Sequence, residues 1–361
     1  AAAQHCSRSA HYSTARSKSL QKGRTVVVIV GGLLSNGGHA HEAARAEVHP
    51  VEVHPVVRRA HQVERLAQLV RELDARLAAH DHVAHGGAGV AHELTQRLQR
   101  HVEDAARHIG ADFEYVYTPS ADMGDMAKSI AAAAATQPDG LVVSLPDPEA
   151  LGQAIKDAVA SGVPVITMNS GLESSAAVGA LMHVGQPEYL AGQSAGARAK
   201  AEGATNALCM MHEQYNTALN DRCNGYGENV PLASTVDTTS DPATITTRAA
   251  AALQANPDVD SVLSVGPHTC VVVQQAIDEL GMSVHHSCFD LSPPVMDMIN
   301  AGKVAFTIDQ QQRLQGYMPI IVLHLYNNGA GLLPGANIPS GPGFVDKSNA
   351  SSVAALAGVD R

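Results

Sequence analysis

Asn169, Asn216, Arg222, Asp290 and Gln310 bring together amide, guanidinium and carboxylate heads, the planar groups that can bond two neighbouring hydroxyls at once. Asn169, Glu213, Asn216, His268, Asp290 and Gln310 each stand shortly after a short apolar run that reads as a strand. Groups of this kind must find partners when they leave water, so their gathering beyond strand ends points to a polar, hydroxyl-rich ligand. Chemistry on that ligand has no matching signal. The chain holds no H-E-x-x-H and no P-loop, and the glycine-rich GGLLSNGG at 31–38 has the spacing of neither phosphate fingerprint. Non-catalytic binding with no cofactor is the expectation. Local readings compete with it: Asn169 and Asp290 suit turns or caps, Arg222 could pair with Asp221 or Glu228 on a helix surface, and His268 could cap a helix.

The elements that must position these residues alternate. Short β-branched runs at Val26 to Val30, Phe113 to Tyr117, Leu141 to Leu145 and Val163 to Met168 are separated by amphipathic runs, the pattern of βαβ units on a parallel sheet. Asp122 stands where an N-cap belongs, ahead of Met123, Met126, Ala127, Ile130 and Ala134 on one helix face. A second series follows: strands at Ala207 to Met211, Leu232 to Val236, Ser261 to Val265 and Val284 to Phe289, with helices at Asp241 to Gln254 and Thr269 to Leu280. Strand Val304 to Ile308 and a helix from about Gln311 to Tyr326 come late, as they would if the chain crossed back to the first series. The Gly- and Pro-rich tail after Asn327 reads as an irregular covering segment. In open sheets of this type ligands bind beyond the carboxyl ends of the strands.

Length and composition agree with two such lobes. The chain has 361 residues, 45% of them hydrophobic and 16% charged, with no Trp. A formal charge of -11 argues against a nucleic-acid partner, and no apolar run approaches the length of a membrane span. The cysteines at 6, 209, 223, 270 and 288 form no zinc-type pattern. Cys209 and Cys223 could bridge if their strand and helix are adjacent, but buried free thiols are the preferred reading. Residues 1–24 carry Arg8, Arg16, Lys18, Lys22 and Arg24 and no acid, a composition like an organellar transit peptide rather than a secretory signal.

Four segments, VPVITMNSG at 163–171, MHEQYNTALNDRCNG at 211–225, FDLSP at 289–293 and FTIDQQQRLQGY at 306–317, resemble sugar-binding proteins of the ribose-binding type I periplasmic family. PDGLVVSLPDPEAL at 138–151 adds to the likeness, which runs from about Val102 to Tyr326. The resemblance implies an α/β fold of two Rossmann-like, doubly wound parallel-sheet lobes joined by a three-segment hinge. Expected boundaries are 25–184 with 311–336 for the first lobe and 185–310 with 337–361 for the second. It further implies a sugar or polyol enclosed by hinge closure, and a membrane permease or receptor that reads the closed form. Residue by residue, Asn169 takes a first-lobe hydroxyl, Arg222 and Asp290 face the ligand from the second lobe, and Gln310 is the hinge-side amide. His268 falls where relatives place a polar side chain, and Glu213 and Asn216 lie in a loop lining the second lobe. The resemblance places the protein in a periplasm, whereas residues 1–24 suggest an organelle. An organellar protein that keeps the fold as a structural or interaction module, without a ligand, is the alternative.

One stretch departs from the pattern. Between Gly37 and Arg100 the composition is narrow, EVHPV occurs twice in succession, and the window His39 to His108 holds 11 of the 19 histidines. HAH at 39–41 and HDHVAH at 80–85 have chelating spacing, so a metal-binding loop is one reading; an amphipathic surface helix over Val63 to Leu77 is another. All the residue types except Thr95 have codons beginning with G or C, which suggests a shifted or mis-spliced frame of a GC-rich gene. On that hypothesis, peptide mass spectrometry of the native protein covers the flanks and lacks peptides from 45 to 97; clean coverage across them contradicts it.

Overall fold

A computed structural model of the protein describes residues 25–31, 90–118 and 122–358. The leader, the histidine motifs and the possible helix over Val63 to Leu77 lie outside the described residues. Two six-stranded sheets carry the fold. In the first, β1 (Thr25–Gly31) lies between β2 (Asp112–Thr118) and β3 (Gly140–Ser144), followed by β4 (Val165–Met168), β5 (His183–Gly185) and, at the edge, β11 (Ile338–Pro339). In the second, β6 (Ala207–Met211) lies between β7 (Leu232–Asp237) and β8 (Ser261–Ser264), followed by β9 (His285–Phe289), β10 (Phe306–Asp309) and β12 (Gly343–Asp346). All pairings are parallel except the antiparallel β10–β12. The two strand orders coincide, so each strand has a counterpart in the other lobe.

Strands buried on both faces need apolar residues at successive positions, and β1 shows how they divide. Val26, Val28 and Val30 pack with Leu98 and Val102 of α1 (Val90–Ile109) and with Ile320 and Leu323 of α10 (Gln312–Asn328). Val27 and Ile29 face α2 (Met123–Ala135) and α3 (Pro148–Ala160) through Met126, Ile130, Leu151 and Ile155. Asp122 caps α2 by accepting from the Gly124 amide at 2.7 Å, and Asp147 caps α3 through Glu149 and Ala150. The short α4 (Leu172–Ser175) follows β4. The second sheet is flanked by α5 (Glu188–Ala201), α6 (Thr217–Gly227), α7 (Pro242–Ala255), α8 (Pro267–Glu279) and α9 (Pro293–Asn300), and α11 (Ala350–Val353) closes the tail. No helix among the described residues is long and apolar enough to cross a membrane.

The chain passes between sheets three times: from β5 to α5, from β10 to α10, and from β11 to β12. The tail after Asn327 is therefore more than an irregular cover. Its two strands are too short to show an alternation, and they form because each extends the edge of a different sheet. The stretch 37–100 also ends differently from its composition. Arg97 and Leu98 are buried in α1, and Arg97 donates to the Leu291 carbonyl at 3.0 Å, so its last residues belong to the packed fold.

The free-thiol reading of the cysteines is overturned. Cys209 on β6 is bonded to Cys223 on α6, and Cys270 on α8 to Cys288 on β9, each pair with Cα atoms 5.9 Å apart. A helix packed directly over its strand brings paired cysteines within the 4.4–6.8 Å a disulfide spans. Alkylation of denatured, unreduced protein is expected to label Cys6 alone, with Cys209, Cys223, Cys270 and Cys288 labelled only after reduction. Reduction is also expected to lower stability by about 3 kcal/mol for the Cys209–Cys223 loop. Labelling of four or five thiols without reduction contradicts the pairing.

Candidate functional site

Two strand ends face one another across the lobes. Asn169 follows β4 and Asp290 follows β9, counterpart positions in the two sheets. Both adopt left-handed backbone, with φ of 62° and 68°. Asn and Asp tolerate this conformation better than other side-chain-bearing residues, and it turns the chain sharply off the strand.

The two residues are joined through the second crossing. Asn169 donates to the side-chain oxygens of Gln310 at 3.3 Å and Gln315 at 3.1 Å. Gln310 in turn donates to Asp290 Oδ1 at 2.6 Å, and Gln312 donates to the same oxygen at 3.2 Å. Gln315 also reaches Ser340 of the third crossing at 2.8 Å. Asp290 is 6% exposed, and burial raises its pKa against the opposing pull of Arg222 and Gln310.

Arg222 projects from α6 into the same region and is 3% exposed. Its Nε and Nη2 meet the two oxygens of Glu188 at 2.6 and 2.9 Å, and Nη1 donates to the Val265 carbonyl at 2.8 Å. Asp290 Oδ2 stands 3.7 Å from Nη1, and the Phe289 ring lies 4.5 Å from the guanidinium carbon. Burial works against the charge of Arg222, but Glu188 outweighs it and holds the pKa above the ordinary arginine value. Glu188 opens α5 directly after the first crossing and also accepts from Gln186 at 2.8 Å. Close packing of α5 on α6 makes this reach possible: a Cβ at Gly192 would stand 2.2 Å from the Arg222 carbonyl, and one at Gly196 2.5 Å from that of Tyr226.

The remaining expected residues sit around this network. Asn216 caps α6 by accepting from the Ala218 amide at 3.1 Å, and its own amide donates to Glu213 at 2.7 Å. Glu213 lies close enough to Tyr117, at the end of β2, to add to the upward shift that burial imposes on that phenol. His268 is at the start of α8, half-buried; burial lowers its pKa while the Ser240 backbone and Asp241 pull the other way. Across the lobes, the Thr217 amide donates to the Pro146 carbonyl at 3.0 Å, and Tyr215 packs on the first-lobe core.

A family model described as "Periplasmic binding protein domain" matches residues 88–330. The chain belongs to this periplasmic binding protein family. Among solved structures, a carbohydrate transporter from Acidothermus cellulolyticus 11B in complex with myo-inositol is 33% identical, with a TM-score of 0.69 over 74% of this chain and 93% of that one. GanP, a glucose-galactose binding protein from Geobacillus stearothermophilus, is 16% identical with a TM-score of 0.67 over 91% of this chain and 99% of its own, a likeness of fold. The xylose/arabinose-binding protein XylF of Sulfolobus acidocaldarius is 23% identical over 69% of this chain; the match spans 66% of that protein's length.

Glu188 and Gln186 were missed by the sequence reading because β5, which they follow, has three residues and no alternation to reveal it. Once that strand is known, the rule that polar residues after strands line the cleft selects both. Glu188→Ala, which leaves the Arg222 charge buried without its partner, is expected to cost about 3–5 kcal/mol in denaturant unfolding. A loss below about 1 kcal/mol, the range of surface pairs, contradicts the coupling described here.

Proposed function

We propose that this protein binds a small polyhydroxylated solute, a sugar or polyol, between its two lobes and performs no chemistry on it. The observation that carries the proposal is the continuous network from Asn169 in the first lobe, through Gln310 in the hinge, to Asp290 and Arg222 in the second. Amides and carboxylates arranged in this way exchange their mutual hydrogen bonds for ligand hydroxyls at little net cost. The relatives that carry sugar or inositol in their descriptions support the ligand class.

A ligand that touches Asn169 on one side and Asp290 and Arg222 on the other favours the closed arrangement by its differential contacts, so occupancy is converted into shape. Glu213, Asn216 and His268 form the outer wall on the second lobe. A membrane permease or receptor then reads the closed form. Two buried disulfides suit an oxidising compartment, in keeping with a periplasmic or extracellular site of action.

Differential scanning fluorimetry against pentoses, hexoses, inositols and divalent metals checks this reading. A bound sugar or inositol at about 100 times its Kd is expected to stabilise by about 2.7 kcal/mol, a shift of several degrees, and Asp290→Ala should abolish the shift. No shift with any polyol, or a shift with metals alone, contradicts the proposal.

A further inference from the structure

The crossings between the two sheets hold more acceptors than donors. Gln312 and Gln186 are 1% and 0% exposed, and the side-chain oxygen of each is buried without a hydrogen-bond partner among the described residues. Their orientation is fixed by the other end of each amide: Gln312 Nε2 donates to Asp290, and Gln186 Nε2 to Glu188. Turning either amide over would set its oxygen against a carboxylate. An unpaired buried acceptor forfeits the hydrogen bonds it made to water, so two beside one network call for a donor from elsewhere. Asp290 Oδ2 adds a third acceptor, with its nearest cation 3.7 Å away.

Charge is unbalanced in the same sense. The guanidinium of Arg222 is matched by the bidentate Glu188, which leaves Asp290 a single longer contact with it at 3.7 Å, while Glu213 is met by the neutral Asn216 amide. His212 and His268 add no compensating charge near neutrality, because burial lowers the pKa of both. Beside the Arg222–Glu188 pair lies a cavity of about 240 Å³, where Glu173 from the first lobe and Asp221 from the second join Glu188 in the lining. The Asp221 carboxyl is pushed up to about 6 by burial and by the neighbouring Glu173 and Glu188.

Resting on the binding function above, we propose that the preferred solute carries an ammonium group on its polyhydroxylated frame, as an amino sugar or aminocyclitol does. Neutral counterparts bind the same site more weakly, and sugar acids are refused. An ammonium offers three donors and no acceptor, the complement of unpaired amide oxygens beside carboxylates. A carboxylate ligand would bring further acceptors and further negative charge to a region already rich in both. The hydroxyls of the ring meet the Asn169–Gln310–Asp290 network as in the broader reading.

Titration calorimetry on the full chain tests this with D-glucose, D-glucosamine and D-glucuronate, the corresponding galactose series, and myo-inositol beside an inosamine. In at least one series the amine is expected to bind about tenfold or more tighter than its neutral parent, a difference of about 1.4 kcal/mol, with the acid weakest. Raising NaCl from about 20 mM to about 0.5 M is expected to shrink that advantage, and so is Glu213→Gln; the salt series needs no variant to fold. Neutral or acidic members binding as tightly as the amines overturns the inference and leaves the sugar-binding reading standing. No binding by any member overturns both.

Discussion

A guanidinium that is almost completely removed from water has to be held by partners placed to within fractions of an ångström, and much of the second lobe is arranged to do this for Arg222. Glu188 supplies the opposite charge across two short hydrogen bonds, and Val265 supplies a carbonyl. The next residue, Cys223, ties α6 to β6 through its disulfide. Gly192 and Gly196 let α5, which carries Glu188, approach α6 at backbone distance. Because Glu188 directly follows the first crossing, this pair also anchors the hinge to the second lobe. Movement of α6 by even a methyl group's width would separate two buried charges, so the site inherits the rigidity of the helix pair.

The first lobe contributes by a different route. Asn169 is set by a left-handed turn at the end of β4 and is linked toward the second lobe through Gln310 and Gln315. Beneath it, His183 on β5 is fully buried, bonded to Thr167 at 2.9 Å, with its backbone amide donating to Asn337 at 2.8 Å. Asn169 is therefore fastened to the strands that become the crossings. The candidate site and the crossings between the lobes thus share one hydrogen-bonded network.

Much of this was legible in the residues. The β-branched runs located the longer strands because burial on both faces demands them, and Asp122 was readable as a cap because its side chain satisfies a helix amide. The rule that ligands lie beyond strand ends singled out Asn169, Asp290 and Gln310, which the fold brings into one hydrogen-bonded network. Other features left no local trace. Strand β5 is too short for a period, and α5 presents alanines and glycines toward its partner, so neither showed an apolar stripe. The partner of Arg222 was sought nearby at Asp221 and Glu228; the actual one is Glu188, distant in sequence and brought close only by packing. Asn216 was singled out as a ligand contact, and its oxygen is engaged as the cap of α6, although its amide still faces Glu213. The cysteine pairs needed the register of helix over strand, which composition does not carry.

The central claim is that one hydroxyl-bearing solute is gripped jointly by Asn169, Gln310, Asp290 and Arg222. A crystal structure of the protein grown with myo-inositol or an amino-deoxy inositol tests it most directly. The account predicts ring oxygens or nitrogen within hydrogen-bond distance of residues from both lobes, with Asp290 accepting from the ligand. Density for the ligand on an outer surface, or in contact with one lobe alone, contradicts it.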